Sequence, residues 1–383
     1  MIKHCKAVSR AAITAAALIV LLSGGGGARA AEYFVSPGGS DSAPGTAEAP
    51  KKTITAALEA LSAGDTLTIA SGTYHESISI SIRGTSGEPV VIRGVGMPHI
   101  VAPGGDGITI AGSSWVTVEG LAVTGAERAA VAVTGSDNII VRGMALVQGP
   151  ERGFYSSKSR HITVERCEIS GPEMKEGVHF SGVNYASAFE NHIHSVAGTG
   201  IRAGGKPAAS RDELVTGAHI ARNRILHCGA AGGAAVMLEG AERSRIESNV
   251  IDGNLAGGII SRKNAEASGG AHNTISANMV RFEAGKGLYG VSLLDGSRQA
   301  AIEQNIIGID AGPAVKVDAA SAGGFRAARN FYVTSPADLV FSWRGRELDF
   351  DGWREATGQD ASSHVMMVPA EQVPVPPGTV PQE

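Results

Sequence analysis

The chain has 383 residues, a formal net charge of −4, 52 glycines and only 5% aromatic residues. That balance offers no global basic field to draw in nucleic acid or an anionic membrane surface, so any polyanion has to be held by a local patch. The Gly-rich, aromatic-poor composition suits many short strands joined by tight turns better than one core built on large side chains, so periodicity is the first thing to examine.

In chain order, residues 1–30 come first. Lys3, Lys6 and Arg10 precede the apolar stretch AAITAAALIVLLSG, which ends in small residues and ARA. That order predicts a secretory signal peptide cleaved near Ala30 or Ala31, and hence a secreted or periplasmic protein. The apolar run is too short to span a membrane, and no other stretch qualifies. Removing residues 1–30 takes Lys3, Lys6, Arg10 and Arg29 from the 33 basic residues and leaves all 37 acidic ones, a formal balance near −8. Cys5 leaves with them. The remaining Cys167 and Cys228 are too few for a disulfide framework.

Residues 31–104 read as an N-terminal cap and the first coils. YFVSPGGSDSAPGT predicts a strand and a Gly/Ser/Pro loop, and an amphipathic helix over Thr53 to Leu61 would cover the open end of a core that otherwise exposes strand edges. This segment, with TITAAL and AGDTLTIASGTYHESI, resembles the lead-in of secreted right-handed β-helix proteins, among them pectate lyases of the family nine type. The resemblance covers residues 32–80 closely and continues as a repeat pattern to about residue 335. It implies a right-handed fold and, more weakly, activity on an acidic polysaccharide.

Residues 105–335 carry the repeat. One column reads Leu121, Met144, Cys167, Asn191, Asn223, Asn249, Asn278, Asn305 and Asn330, at intervals of 23 to 32 residues. Two positions later comes an apolar column: Val123, Leu146, Ile169, Ile193, Ile225, Ile251, Val280, Ile307 and Tyr332. A unit of this length with three short strands is one coil of a parallel β-helix whose coils stack about 4.8 Å apart. The six asparagines fit an internal ladder, each amide satisfying turn backbone groups and bonding to the next rung. The fold class is therefore all-β: a single-stranded parallel β-helix, with a C-terminal cap over 336–365 and a Pro-rich tail over 366–383. Trp343 and Trp353 would plug the far end.

The column settles two smaller matters. Cys167 takes a place held by Leu and Met in earlier coils and is expected buried, and Cys228 lies two coils away and outside that column, so no disulfide is expected between them. In ENHIHS (190–195), Ile193 points inward, so His192 and His194 point outward, with only Glu168 of the preceding rung as a third donor. That pattern reads as a solvated rung.

Chemistry is expected on the first strand of each coil. The outward column there reads Thr109, Ala132, Tyr155, His179, Arg202, Met237, Ile260, Ser292 and Lys316. Two positions on it reads Ala111, Thr134, Ser157, Ser181, Gly204, Glu239, Arg262, Leu294 and Asp318, with Lys158, Lys206 and Lys263 at the turn. Insertions at 204–217 and 263–273 leave from the same edge and would wall a groove. A polysaccharide lyase needs a cation to neutralise the uronate, a base for the C5 proton and an acid for the leaving oxygen. Arg202 fits the first task by its bidentate fork. His179, or else Lys158 or Lys263, fits the second, and Tyr155 or Arg262 the third. Glu239, Arg262, Lys263 and Lys206 would line the substrate path.

Family nine pectate lyases hold calcium in a cluster of aspartates beside a lysine. No such cluster appears, Asp212 and Glu213 being the nearest acidic pair, so a calcium cofactor is left open. YSSKS (155–159) is similar to the segment bearing the basic lysine of alginate and chondroitin lyases of this fold, with Lys158 the matching residue. The expected function is an exported monomer that cleaves uronic-acid polysaccharide by β-elimination. Two alternatives stand beside it: a non-catalytic carbohydrate-binding β-helix, and a glycoside hydrolase, for which Glu239 and Asp318 lie too far apart and Glu176 has no evident partner.

Overall fold

The computed structural model describes residues 30–147, 151–205, 214–264, 270–282, 285–309, 311–334 and 339–367. Residues 1–29, Lys206, the pair Asp212 and Glu213, and the tail from residue 368 lie outside them, and with them the expected signal peptide.

Three parallel ladders run the length of the molecule, one strand of each per coil. In a central coil the first two strands form one continuous 14-residue segment, Arg152–Glu165, and the third is Glu168–Ser170. Each strand pairs in register with its equivalent one coil on. On the first ladder Ile108, Val131, Phe154, Val178, Ile201, Val236, Ile259, Val291 and Val315 stack in a single inward file, all fully buried. On the third, the apolar column read from the sequence forms a second file from Val123 to Tyr332. Alternation along each strand sends every second side chain into the core, and the parallel register keeps like residues in contact with like.

The asparagine column is the ladder its spacing predicts. Asn191, Asn223, Asn249, Asn278, Asn305 and Asn330 are all buried. The Oδ1 of each accepts the backbone N–H of the residue one coil earlier, at 2.9–3.0 Å, beginning with Cys167. Each Nδ2 donates to a core-facing carbonyl, such as Val164 O from Asn191 and Ile220 O from Asn249. The residue before each asparagine turns the chain in the left-handed region: Glu190, Arg222, Ser248, Ala277, Gln304 and Arg329 have φ between 54° and 59°. Holding a non-glycine residue there costs on the order of 1 kcal/mol, which the ladder bonds offset. A shorter serine ladder, Ser113–Ser136–Ser159, does the same at another corner.

The first helix is shorter than expected, Ile54–Leu58, because Ala60 and Leu61 already bond three residues back and tighten the last turn. Thr53 caps it through its hydroxyl, and Glu76 accepts from the Ile54 and Thr55 amides. Ile54, Ala57 and Leu58 join the core. At the far end Trp353, on the helix Phe350–Thr357, is fully buried among Phe325, Phe341 and Trp343. Cys167 and Cys228 are buried free thiols, pushed up by burial to about 12 and about 11. Among the described residues no helix is long and apolar enough to cross a membrane.

Candidate functional site

The outward column Thr109–Ala132–Tyr155–His179–Arg202–Met237–Ile260 is one continuous file in the structure. Its first half forms a groove of about 630 Å³ lined by, among others, Arg128, Arg152, Tyr155, Lys158, His179 and Arg202. Of the eight residues proposed from the sequence, four meet in this groove: Tyr155, Lys158, His179 and Arg202.

Their environments differ from the expected solvent-facing strip. His179 is buried, with 6% of its surface exposed, because Tyr155 packs edge-on against its ring at 5.3 Å and Arg202 stacks on the next rung. Its Nε2 donates to Gly204 O at 2.8 Å, which leaves Nδ1 as the acceptor nitrogen, 4.0 Å from Glu176 Oε2. Burial lowers the imidazole to about 4, against the partial opposition of the Glu176 carboxylate. The neutral imidazole, one nitrogen bonded to Gly204 O and the other facing a carboxylate, forms part of the groove floor. Its depressed pKa carries a sign. Between pH 6.5 and about 4 the unfolded chain binds a proton that the folded one excludes, so the contribution is whole above pH 6.5. It then falls away toward pH 4, by about 3 kcal/mol. Thermal melts of wild type and His179→Gln from pH 7.5 to 4 should show the variant losing less stability with acid; parallel curves would show that this histidine does not titrate with folding.

Arg202 is already committed. It bonds to Glu176 at 3.1 Å on one side and to Glu239 on the other, and Glu239 in turn holds Arg262 at 2.5 Å. Arg262 and Glu239 therefore form a paired cluster beside the groove and do not line it. Lys263 faces a separate hollow with Glu242, Asp295 and Arg298. The bases of the two insertions do touch, Asn264 Nδ2 donating to Gly205 O at 3.2 Å.

Sequence reading missed the residues that organise the floor. Glu176, buried, pairs with Arg152 at 3.0 Å as well as with Arg202. Arg152 also lies over the Tyr155 ring at 5.1 Å and bonds to Glu151 at 3.1 Å. The signal was present: Arg152 and Glu176 occupy one column, three positions before Tyr155 and His179. Arg128 pairs with Asp106 at 2.8 Å but keeps 68% of its side chain in solvent. Lys158 is exposed at the groove edge, its backbone left-handed at φ 50°. Arg128, Arg152, Lys158 and Arg202 line the groove with Asp106, but Arg152 and Arg202 are paired behind it with Glu151, Glu176 and Glu239, so Lys158 and Arg128 are the cations most exposed to solvent.

Three stacked parallel ladders with an internal asparagine file define a parallel β-helix, and comparison with known families supplies its hand. The model for a right handed beta helix region matches residues 106–307, more than half of the chain, which therefore belongs to that family. The model for a Pel9A-like, right handed beta helix region matches residues 33–169, less than half of the chain. Pectate lyase PEL9 of Emericella nidulans is 42% identical over 66 residues, 17% of this chain and 16% of that protein. The chain thus matches only a small part of that relative. Among solved structures, a GH136 lacto-N-biosidase from Eubacterium ramulus is similar with a TM-score of 0.60 at 12% identity, covering 88% of this chain and 67% of that one. An alginate lyase from Paenibacillus sp. gives 0.57 at 16% identity, covering 66% and 91%. At such identities the likeness is one of fold.

Proposed function

We propose that this is an exported, monomeric β-helix protein that binds a uronic-acid polysaccharide in the groove and cleaves it by β-elimination. The observation that carries the reading is a groove edged by the exposed Lys158 and by Arg128, whose side chain is 68% exposed, on a chain that is acidic overall. A polyanion of regularly spaced carboxylates fits a floor of guanidinium groups in a way that a neutral glycan does not. The lyase-related folds among the similar proteins agree with it.

In this reading Arg128, the most exposed guanidinium of the groove, holds the uronate carboxylate and makes the C5 proton acidic. Lys158, at the groove edge, takes that proton. The C5–H electron pair forms the C4–C5 double bond, the C4–O glycosidic bond breaks, and the Tyr155 hydroxyl donates its proton to the leaving oxygen. Arg202, His179 and Glu176 act behind them, fixing Arg152 and Tyr155 in place. The test is a panel of polygalacturonate, alginate and chondroitin, each with and without calcium, followed by the ultraviolet absorbance of the unsaturated product. A rise with one polymer supports the reading; no rise with any of them sinks it.

One observation favours a second reading. His179 is buried and Arg202 is doubly paired, so two of the four groove residues expected to do chemistry are committed to structure. A groove that binds acidic glycan without turning it over would show saturable binding on the same panel and no new absorbance.

A further inference from the structure

The outer face of the third ladder brings together three donors of metal-binding type. The segment His192-Ile193-His194 is a strand whose central residue is fully buried in the core, so both imidazoles stand on the outer face. The neighbouring strand Glu168–Ser170 pairs with it in register, Glu168 beside His192 and Ser170 beside His194. One ligand atom from each of Glu168, His192 and His194 lies within 4.8 Å of the other two. We propose that these three residues bind a divalent transition-metal ion of the zinc class, on a ladder distinct from the one that forms the groove.

Geometry supports this. His194 Nε2 stands 3.3 Å from Glu168 Oε1. Two ligands about 2.1 Å from a tetrahedral zinc ion are separated by about 3.4 Å, so this pair already has the spacing of a coordination edge. As a hydrogen bond the same contact is long, since charge-assisted N–H···O bonds run about 2.7–2.9 Å. The other nitrogen of His194 lies 3.3 Å from the Ser195 hydroxyl, the kind of outer contact that orients a ligating imidazole. The centroids of the two histidine rings are 4.7 Å apart. The strands hold the backbone, so the donors do not have to be gathered from a flexible loop.

Chemistry selects the ion. Two imidazoles and one carboxylate suit zinc, nickel or copper, whereas calcium takes six to eight oxygens. Three protein ligands leave a position for water. Arg224, beside His192 on the following rung, adds a positive charge to the face, so binding should be weaker than at a closed four-ligand site.

The experiment is calorimetric titration of ZnCl2 into untagged full-length protein stripped with EDTA, with CaCl2 as the comparison. One zinc per chain is expected, with binding at least tenfold weaker in His194→Ala and in Glu168→Gln and lost in the double variant His192→Ala/His194→Ala. Metal-free melting temperatures should match wild type, since the side chains replaced lie on the outer face. Absence of zinc binding by wild type overturns the proposal without reference to any variant. Unchanged binding in the double variant, or calcium bound as tightly as zinc, overturns it as well.

Discussion

Replacing Asn249 with alanine is expected to cost about 3–5 kcal/mol and to lower the melting temperature by on the order of 10 °C. Asn249 Oδ1 accepts both the Asn223 backbone N–H and the Asn223 Nδ2, each at 2.9 Å. Its own Nδ2 donates to Ile220 O at 2.9 Å, to Glu247 O at 3.2 Å and to Asn278 Oδ1 at 2.9 Å. Truncation takes this acceptor from the buried Asn223 backbone N–H and this donor from the Ile220 carbonyl, while Asn223 Nδ2 keeps Ala188 O and Ala221 O, and each orphaned group costs about 1–3 kcal/mol. The preceding Ser248 stays in the left-handed region at φ 57° with less to hold it there. A repeat stack transmits the loss to both neighbouring coils, because each depends on the next for its own bonds. Urea and thermal melts compare the variant with wild type and with Thr134→Ala, an exposed change on the first ladder. A loss below 1 kcal/mol would show that the ladder is ornament and the apolar files alone hold the stack.

The second large effect concerns turnover. Once the polymer panel identifies a substrate, Lys158→Ala should lower kcat by about 10²–10⁴-fold, the range for removing a general base, with little change in KM or melting temperature. The side chain is exposed and sits at a left-handed backbone position that alanine occupies no worse than lysine. Arg128→Ala should raise KM and also lower kcat, since its guanidinium both holds the carboxylate and stabilises the charge that builds on it as the C5 proton leaves. Equal, small losses in both variants would move the base elsewhere in the groove. His179→Gln is the informative contrast. It is expected to act mainly on stability and on the position of Tyr155, because the ring is walled in by Tyr155, Arg202 and Glu176.

The sequence could be read for everything that repeats. Asn191 to Asn330 named the inner corner, Ile169, Ile193 and Ile225 named the core face, and the outward file Tyr155–His179–Arg202 followed from them. A parallel stack has one register, so a column in the alignment is a file in space. The same logic placed Ile193 inward, and hence His192 and His194 outward.

What the columns could not supply is how side chains on adjacent rungs choose partners. Arg202 was free to face a substrate as far as its column could say. In the structure it lies between Glu176, three positions back on the preceding rung, and Glu239, on the following one, and bonds to both. His179 was outward by parity and is nonetheless buried, because neighbours in its own file close over it. Glu168 looked like a lone third donor and converges with two imidazoles. Backbone periodicity is a one-dimensional property fixed by where apolar and asparagine side chains fall along the chain. Pairing, burial and convergence depend on the reach of long side chains across rungs about 4.8 Å apart, and only the folded stack decides those.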